Sequence, residues 1–149
     1  MVEKIRLIQN NVNTRLLLQE ISSLVLAFLF AYTAISKLYN WNETRFSLYN
    51  QWFPSIATEA LLYGLPVIEF VATITLLIPS FRRSGFILSI ILMSAFTGYV
   101  AWVWLGFTER MPCTCGEIIS SLTWGQHLIL NLVFLGISVV GWRSWEIGR

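Results

Sequence analysis

The sequence has little charge, and this scarcity excludes a water-soluble domain. Only 12% of its 149 residues are charged, no Asp occurs, and 56% are hydrophobic. Soluble domains carry about 25% charged residues. The net charge of +2 is too small to indicate nucleic-acid binding, and no such partner is expected. The length fits one domain over residues 1–149, and the composition predicts an integral membrane protein in contact with the lipid bilayer.

Four apolar segments are long enough to cross a bilayer, which takes roughly 20 residues. In hydrocarbon, spans of this length satisfy their backbone only as helices, so we expect an all-α integral membrane protein, a four-transmembrane-helix bundle. Pro66 falls near the start of the second span, where a proline costs least. The expected spans are 17–38, 60–78, 85–107 and 124–142.

The first connection predicts a further, shorter helix. Between Glu43 and Phe53, the aromatic residues Phe46, Tyr49, Trp52 and Phe53 recur at spacings of three and four residues among polar ones. This pattern is typical of an amphipathic helix at the membrane interface. Such a helix would cover one mouth of the bundle, although membrane anchoring alone explains the pattern equally well.

Basic residues predict the orientation, because cytoplasmic loops carry an excess of Lys and Arg. Seven of the ten fall in the N-terminus, the second turn and the C-terminus: Lys4, Arg6, Arg15, Arg82, Arg83, Arg143 and Arg149. Both termini are therefore expected in the cytoplasm. The first and third loops would lie outside, in the periplasm if the membrane is a bacterial inner membrane.

The only two cysteines, Cys113 and Cys115, lie in the third loop. Disulfides persist on the extracytoplasmic side. Cα atoms with one residue between them lie near the upper end of the Cα–Cα distances that a disulfide accepts, roughly 4.4–6.8 Å. A disulfide between Cys113 and Cys115 would therefore be strained. A redox-active pair is favoured, because strained disulfides are the labile ones and a loop this short stabilises little as a structural disulfide. A metal site is least favoured, since two Cys and one His fall short of four ligands.

Three polar side chains within the spans are candidate functional residues. His127, the sole histidine, falls near the start of the fourth span, on the side of the cysteines, and Asn131 follows one helical turn later. In one interpretation His127 and Asn131 hydrogen-bond a quinone or relay protons. In the other, His127 is an interfacial residue and Asn131 forms a helix–helix contact. Glu69 falls near the centre of the second span, where an ionisable group is by default a functional candidate. It would handle protons or bind quinone, or pair with Lys37 or nearby hydroxyls as an anchor.

Three short motifs occur in order over nearly the whole chain: Ser36-Lys37-Leu38 ending the first span, Pro66-Val67-Ile68-Glu69 in the second, and Pro112-Cys113-Thr114-Cys115-Gly116 followed by Trp124, His127 and Asn131. Together they resemble the motifs of DoxX-like membrane proteins, and the last resembles that of their MauE branch. This resemblance implies a four-helix membrane fold. It also implies a role, alongside a thioredoxin-like protein, in the maturation of a disulfide-rich periplasmic dehydrogenase subunit.

The resulting prediction is a membrane-embedded thiol–disulfide redox protein. A dithiol on a thioredoxin-like or other cysteine-containing periplasmic protein would reduce the Cys113–Cys115 disulfide through a mixed disulfide. By analogy with four-helix thiol–quinone enzymes, a quinone held by Trp124, His127 and Asn131 would reoxidise the pair. The enzyme would then be a quinone-linked thiol–disulfide oxidoreductase.

A non-enzymatic role is the main alternative. Thiol–quinone enzymes usually need a second cysteine pair, and this chain has only one, so a partner would have to supply the other. In the alternative, the chain is an accessory or scaffold subunit of a larger membrane or secretion assembly, and the Cys-x-Cys disulfide is structural. A transporter or small-molecule binder using Glu69 is less favoured, because the four spans show no inverted repeat.

Overall fold

The computed structural model of the protein describes residues 2–51, 53–107 and 123–147. All regular elements within these ranges are helical. They are α1 (Val2–Tyr39), α2 (Trp41–Tyr49), α3 (Ser55–Leu77), a short 3-10 turn (Pro79–Phe81), α4 (Arg82–Trp104) and α5 (Trp124–Ile147).

Four of these helices are long and apolar enough to cross a membrane. They are α1, α3, α4 and α5, and the short helix α2 lies in the first connection. The sequence-based prediction of an all-α membrane protein with four spanning helices is confirmed. Their lipid-facing surfaces contact the bilayer, and large apolar side chains such as Phe28, Ile56 and Val67 are exposed there, as a hydrocarbon solvent permits.

The helices begin and end a few residues away from the expected spans, for local reasons. Helix α4 stops at Trp104 because Gly106 adopts a φ of +78°, a left-handed conformation that suits glycine and ends helices. Helix α3 begins at Ser55, directly after Pro54 in extended conformation. Pro66 therefore lies about three turns inside α3 rather than near its start, and its missing N–H removes one backbone hydrogen bond from the middle of the helix.

The spanning helices form a four-membered ring. Helix α1 packs against α3 and α5, and α4 packs against the same two, so that α1 and α4 lie across the diagonal. Antiparallel pairing of α1 with α3 follows from two hydrogen bonds: the Ser23 hydroxyl donates to the Leu76 carbonyl at 2.6 Å, and the Thr73 hydroxyl donates to the Ala27 carbonyl at 3.5 Å. The buried core cluster consists of Leu26, Ala27, Phe30, Ala72, Leu76, Phe86, Leu92 and Met93.

A close approach between α4 and α5 depends on glycine. A Cβ atom placed on Gly141 would collide with the ring of Phe86, whose side chain is fully buried. Small residues at such positions let membrane helices come into direct contact. Gly141 therefore fixes the separation of α4 and α5 at the end of the bundle that carries the 3-10 turn.

The two ends of the bundle differ in their ion pairs. At the end with the 3-10 turn, Arg82 contacts Glu20 at 2.5 Å and Arg83 contacts Glu146 at 3.0 Å, and each pair includes a side chain at least 46% exposed. At the other end, which we call the α2 end, the ion pair is buried. The α2 end includes the end of α1, the start of α3, the end of α4 and the start of α5.

Candidate functional site

A cavity of about 270 Å³ lies inside the half of the bundle nearer the α2 end. Each of the five helices contributes to its wall. The wall is mostly apolar, with a few polar side chains that converge on the interior. This combination is characteristic of small-molecule sites. The volume is slightly below the roughly 300 Å³ at which drug-sized pockets begin, so the cavity suits a single substituted ring.

One part of the wall is a buried ion pair between α1 and α3. The Lys37 ammonium lies 2.7 Å and 3.1 Å from the two carboxylate oxygens of Glu69. Lys37 is 6% exposed and Glu69 is 1% exposed. Lys37 also donates to the carbonyl of Thr33, one turn earlier in α1. Among the partners expected for Glu69, the structure therefore brings in Lys37, and each charge neutralises the other.

Helix α5 supplies two further polar side chains. His127 and Asn131 lie one turn apart, both line the cavity, and they are 8% and 9% exposed. Phe134, another turn along, lines the same cavity. The spacing of three to four residues places all three on one face of α5. The sequence-predicted residues His127, Asn131 and Glu69 thus come together around one space.

Helix α2 covers the mouth of this cavity. Its Thr44 and Leu48 are buried against the bundle, and they line the cavity together with Gln51 just beyond the helix. The aromatic residues Phe46 and Tyr49, which predicted the helix, are exposed on another face. The small and aliphatic side chains of α2 therefore pack against the bundle, and the aromatic side chains of Phe46 and Tyr49 point away from it.

Gln51 carries the most informative polar group in the wall. The Tyr99 hydroxyl donates to Gln51 Oε1 at 2.9 Å, and the Tyr99 ring lies 6.0 Å from the Phe53 ring. Gln51 is 7% exposed, and its Nε2 has no hydrogen-bond partner among the residues that the structure describes. An unsatisfied buried donor costs about 1–3 kcal/mol, which a ligand acceptor in the cavity would recover.

Sequence reasoning missed Gln51 and Tyr99 as site residues. The only signal was indirect, since Thr44, Leu48 and Gln51 are spaced by four and three residues and so share a face of a helix. That signal was weaker than the aromatic pattern on the other face. Tyr99 lies in a long apolar run, where nothing in the sequence distinguishes an inward tyrosine from an interfacial one.

The predicted cysteines lie outside the described residues. Cys113 and Cys115 fall in the segment 108–122, and the side chain of Trp124 is likewise outside the described set. The residues on either side of the segment, Phe107 and Thr123, belong to the α2 end of the bundle. The chain therefore enters and leaves the cysteine segment at the end that holds the cavity.

The fold and site together define a class of protein: a multi-pass, four-helix membrane protein with a small polar-and-apolar cavity beneath a covering helix. The chain matches the family model described as methylamine utilisation protein MauE over residues 15–144. This match includes α3 and α4 in full and most of α1 and α5, and the protein belongs to the MauE family. None of the curated proteins and none of the solved structures compared with the chain matches it.

Proposed function

We propose that this protein is a quinone-linked thiol–disulfide redox partner of an extracytoplasmic protein. In this proposal Cys113 and Cys115 exchange disulfides with the partner, and the cavity holds a quinone ring as the final electron acceptor. The single observation that carries the proposal is the cavity itself. His127, Asn131 and the Gln51 Nε2, which has no partner among the described residues, converge on a space for one ring, at the end of the bundle from which the cysteine segment emerges.

The residues present fit a quinone ring. A quinone offers two carbonyl acceptors on opposite sides of a flat apolar ring. The Nε2–H₂ of Gln51, which is without a partner in the described part of the chain, is a donor, and the Asn131 amide and His127 imidazole are capable of donating as well. Apolar side chains such as Leu62 and Phe96 line the remaining wall. Gln51 would hold one side of the ring, because Tyr99 fixes the other end of its amide.

The redox chemistry balances over two steps. The partner's thiolate attacks the Cys113–Cys115 disulfide, and its second thiol resolves the mixed disulfide. The partner is then oxidised, and the two cysteines are reduced thiols. A quinone accepts two electrons and two protons. When the two thiols form the disulfide again, both electrons and both protons pass to the quinone, which becomes a hydroquinone. In this proposal His127 passes protons between the cysteines and the quinone, whereas Glu69 holds Lys37 in place.

The proposed orientation places this chemistry outside the cytoplasm. The cytoplasmic end would then be the end with the 3-10 turn, where Arg82 and Arg83 lie, as an excess of basic residues predicts. The α2 end and the cysteine segment would face the periplasm of a bacterial inner membrane. A thioredoxin-like protein there would present the dithiol.

The test uses the full-length protein in nanodiscs. After reduction, quinone is added, and the return of the disulfide is followed by thiol alkylation. Asn131→Leu removes a donor from the cavity and should slow reoxidation about tenfold, which corresponds to one hydrogen bond of roughly 1.4 kcal/mol. Ser138→Ala is the matched control, because Ser138 is buried on the same helix but does not line the cavity.

A second arm tests the thiols in native membranes. Cys113→Ser and Cys115→Ser are expected to differ, with one variant accumulating a mixed disulfide with an extracytoplasmic protein. If neither variant traps a partner and both variants keep the function of the wild-type protein in cells, the redox proposal is wrong. The accessory-subunit alternative then replaces it. If partners are trapped but quinone never restores the disulfide, the electron acceptor is wrong.

A further inference from the structure

A second, lipid-facing groove adjoins the candidate quinone cavity. It lies between α1 and α5, has a volume of about 330 Å³, and is lined by Leu24, Val25, Phe28, Leu29, Tyr32 and Phe134. Phe28 is 76% exposed and Leu24 is 57% exposed, so one side of the groove opens away from the bundle. Apart from the Tyr32 hydroxyl, the lining side chains are hydrocarbon.

The groove and the cavity share part of their walls. Leu29 on α1 and Phe134 on α5 line both spaces. Both side chains are partly buried and pack against the edge of the core. These two residues therefore lie between the cavity, whose wall has polar groups, and the groove, whose lining has no charged side chain.

The two spaces lie at different depths. Lys37 is eight residues beyond Leu29 in α1, which is about 12 Å along a helix that rises 1.5 Å per residue. Leu24 lies five residues from Leu29 in the other direction, one helical turn from Glu20, which pairs with Arg82 at the end with the 3-10 turn. A molecule occupying both spaces would have its polar part towards the α2 end and its apolar part deeper in the bilayer, towards the opposite end of the bundle.

The polar part of that molecule has to be neutral. Lys37 is the only Lys or Arg among the described residues that line the cavity, and its ammonium is bound by Glu69. A phospholipid phosphate binds best to charge-assisted partners, which the described part of this wall does not offer. The cavity volume also suits a ring rather than a glycerophosphate group with two chains.

We infer that the groove between α1 and α5 holds the polyprenyl tail of a membrane quinone and that the tail joins the ring beside Leu29 and Phe134. This inference rests on the proposed function and identifies its substrate as a lipid-soluble quinone that enters from the bilayer. Because lipid is as apolar as the groove, the groove supplies shape rather than hydrophobic driving force. Blocking it should therefore act sterically.

The test compares a tailless methoxy-substituted benzoquinone with the same ring carrying a decyl tail. Binding to the full-length protein in nanodiscs is measured for wild type, Val25→Trp and Val71→Trp. Val25 lines the groove but not the cavity, whereas Val71 is an exposed valine of α3 that lines neither. We expect Val25→Trp to weaken the tailed quinone about tenfold, the scale of an overpacking penalty, and to leave the tailless ring unchanged.

The outcomes separate this inference from the proposed function. If both quinones bind to wild type and Val25→Trp does not affect the tailed one, the groove is not the tail site, although the quinone cavity stands. If Val71→Trp weakens the tailed quinone as much as Val25→Trp, the effect is not local and the inference is wrong. If neither quinone binds to wild type, both the proposed function and the groove assignment fail. Loss of a co-purifying phospholipid from Val25→Trp, with quinone binding unchanged, assigns the groove to lipid instead.

Discussion

The buried pair of Lys37 and Glu69 gives the sharpest test of how the bundle is held together. At 2.7 Å, two unit charges attract by about 6 kcal/mol at an effective dielectric constant of 20. Desolvation of both groups offsets much of this attraction. Removing only one partner leaves the other buried and unpaired, which costs about 3–5 kcal/mol. We therefore expect Lys37→Met and Glu69→Met each to lower the free energy of unfolding by that amount.

The double variant should behave differently. Lys37→Met combined with Glu69→Met removes both charges and leaves apolar side chains of similar size. Replacing a whole buried pair in this way is often neutral or stabilising. The free energy of unfolding should therefore return close to that of wild type. Equilibrium unfolding in detergent micelles, followed by circular dichroism, measures all four corners of this cycle.

An exposed pair in the same chain is the control. Arg83 and Glu146 lie 3.0 Å apart with side chains 46% and 35% exposed, and exposed pairs contribute about 0–1 kcal/mol. Arg83→Met should therefore change stability by less than about 1 kcal/mol. Single variants of Lys37 and Glu69 that cost no more than Arg83→Met would refute the reasoning, and so would a double variant as unstable as the sum of the two.

The same double variant decides between the two interpretations of Glu69. If it folds and quinone still reoxidises its cysteines at the wild-type rate, Glu69 is an anchor for α1 and α3. If it folds but reoxidation is lost, the pair takes part in proton transfer or ligand binding. Stability and reoxidation are measured on the same preparation, so that a folding defect is not mistaken for a chemical one.

Two further predictions concern Gln51, which follows the covering helix α2, and the contact between α4 and α5. Gln51→Met keeps the size of the side chain but removes the whole amide, both its Nε2–H₂ donor and the acceptor of the Tyr99 hydroxyl. It should weaken quinone binding about tenfold, measured in nanodiscs, while Asn50→Ala at the exposed neighbour has no effect. Equal binding by both variants would remove Gln51 from the site. Gly141→Ala places a methyl group against Phe86 and should lower the free energy of unfolding by about 1–3 kcal/mol. Gly136→Ala is the control and should not lower it, because a Cβ atom there meets nothing within 4 Å. A similar effect of the two substitutions would show that the packing of α4 on α5 does not depend on their close approach.

Sequence patterns predicted the spanning helices because their signal is one-dimensional. A membrane span is recognised from the length and composition of one segment, and no tertiary contact enters the argument. Helix limits were less predictable, because apolar composition does not stop where the helix does. The structure continues α1 back to Val2 through polar residues and starts α3 at Ser55, five residues before the expected span, which moves Pro66 into the middle of the helix.

The site was predictable only where membrane burial singles out a residue. Glu69, Lys37, His127 and Asn131 are unusual within apolar spans, so the cost of burying them points to partners or function. Gln51 escaped because it follows the covering helix in a polar stretch, where a glutamine is ordinary. Its position against Tyr99 depends on how the first connection folds back over the bundle, and no single segment encodes that.

The buried ion pair also constrains what the cavity can recognise. Without Glu69, the Lys37 ammonium would be an uncompensated cation inside the bundle and would attract anions. Glu69 binds it at two oxygens, which leaves the neutral amides of Gln51 and Asn131 to meet a ligand. A site of this kind favours an uncharged molecule with hydrogen-bond acceptors over an anionic lipid, because an anion would lose its hydration without gaining an unpaired cation from the described lining. The pair can therefore influence selectivity while serving as an anchor, even if it never exchanges a proton.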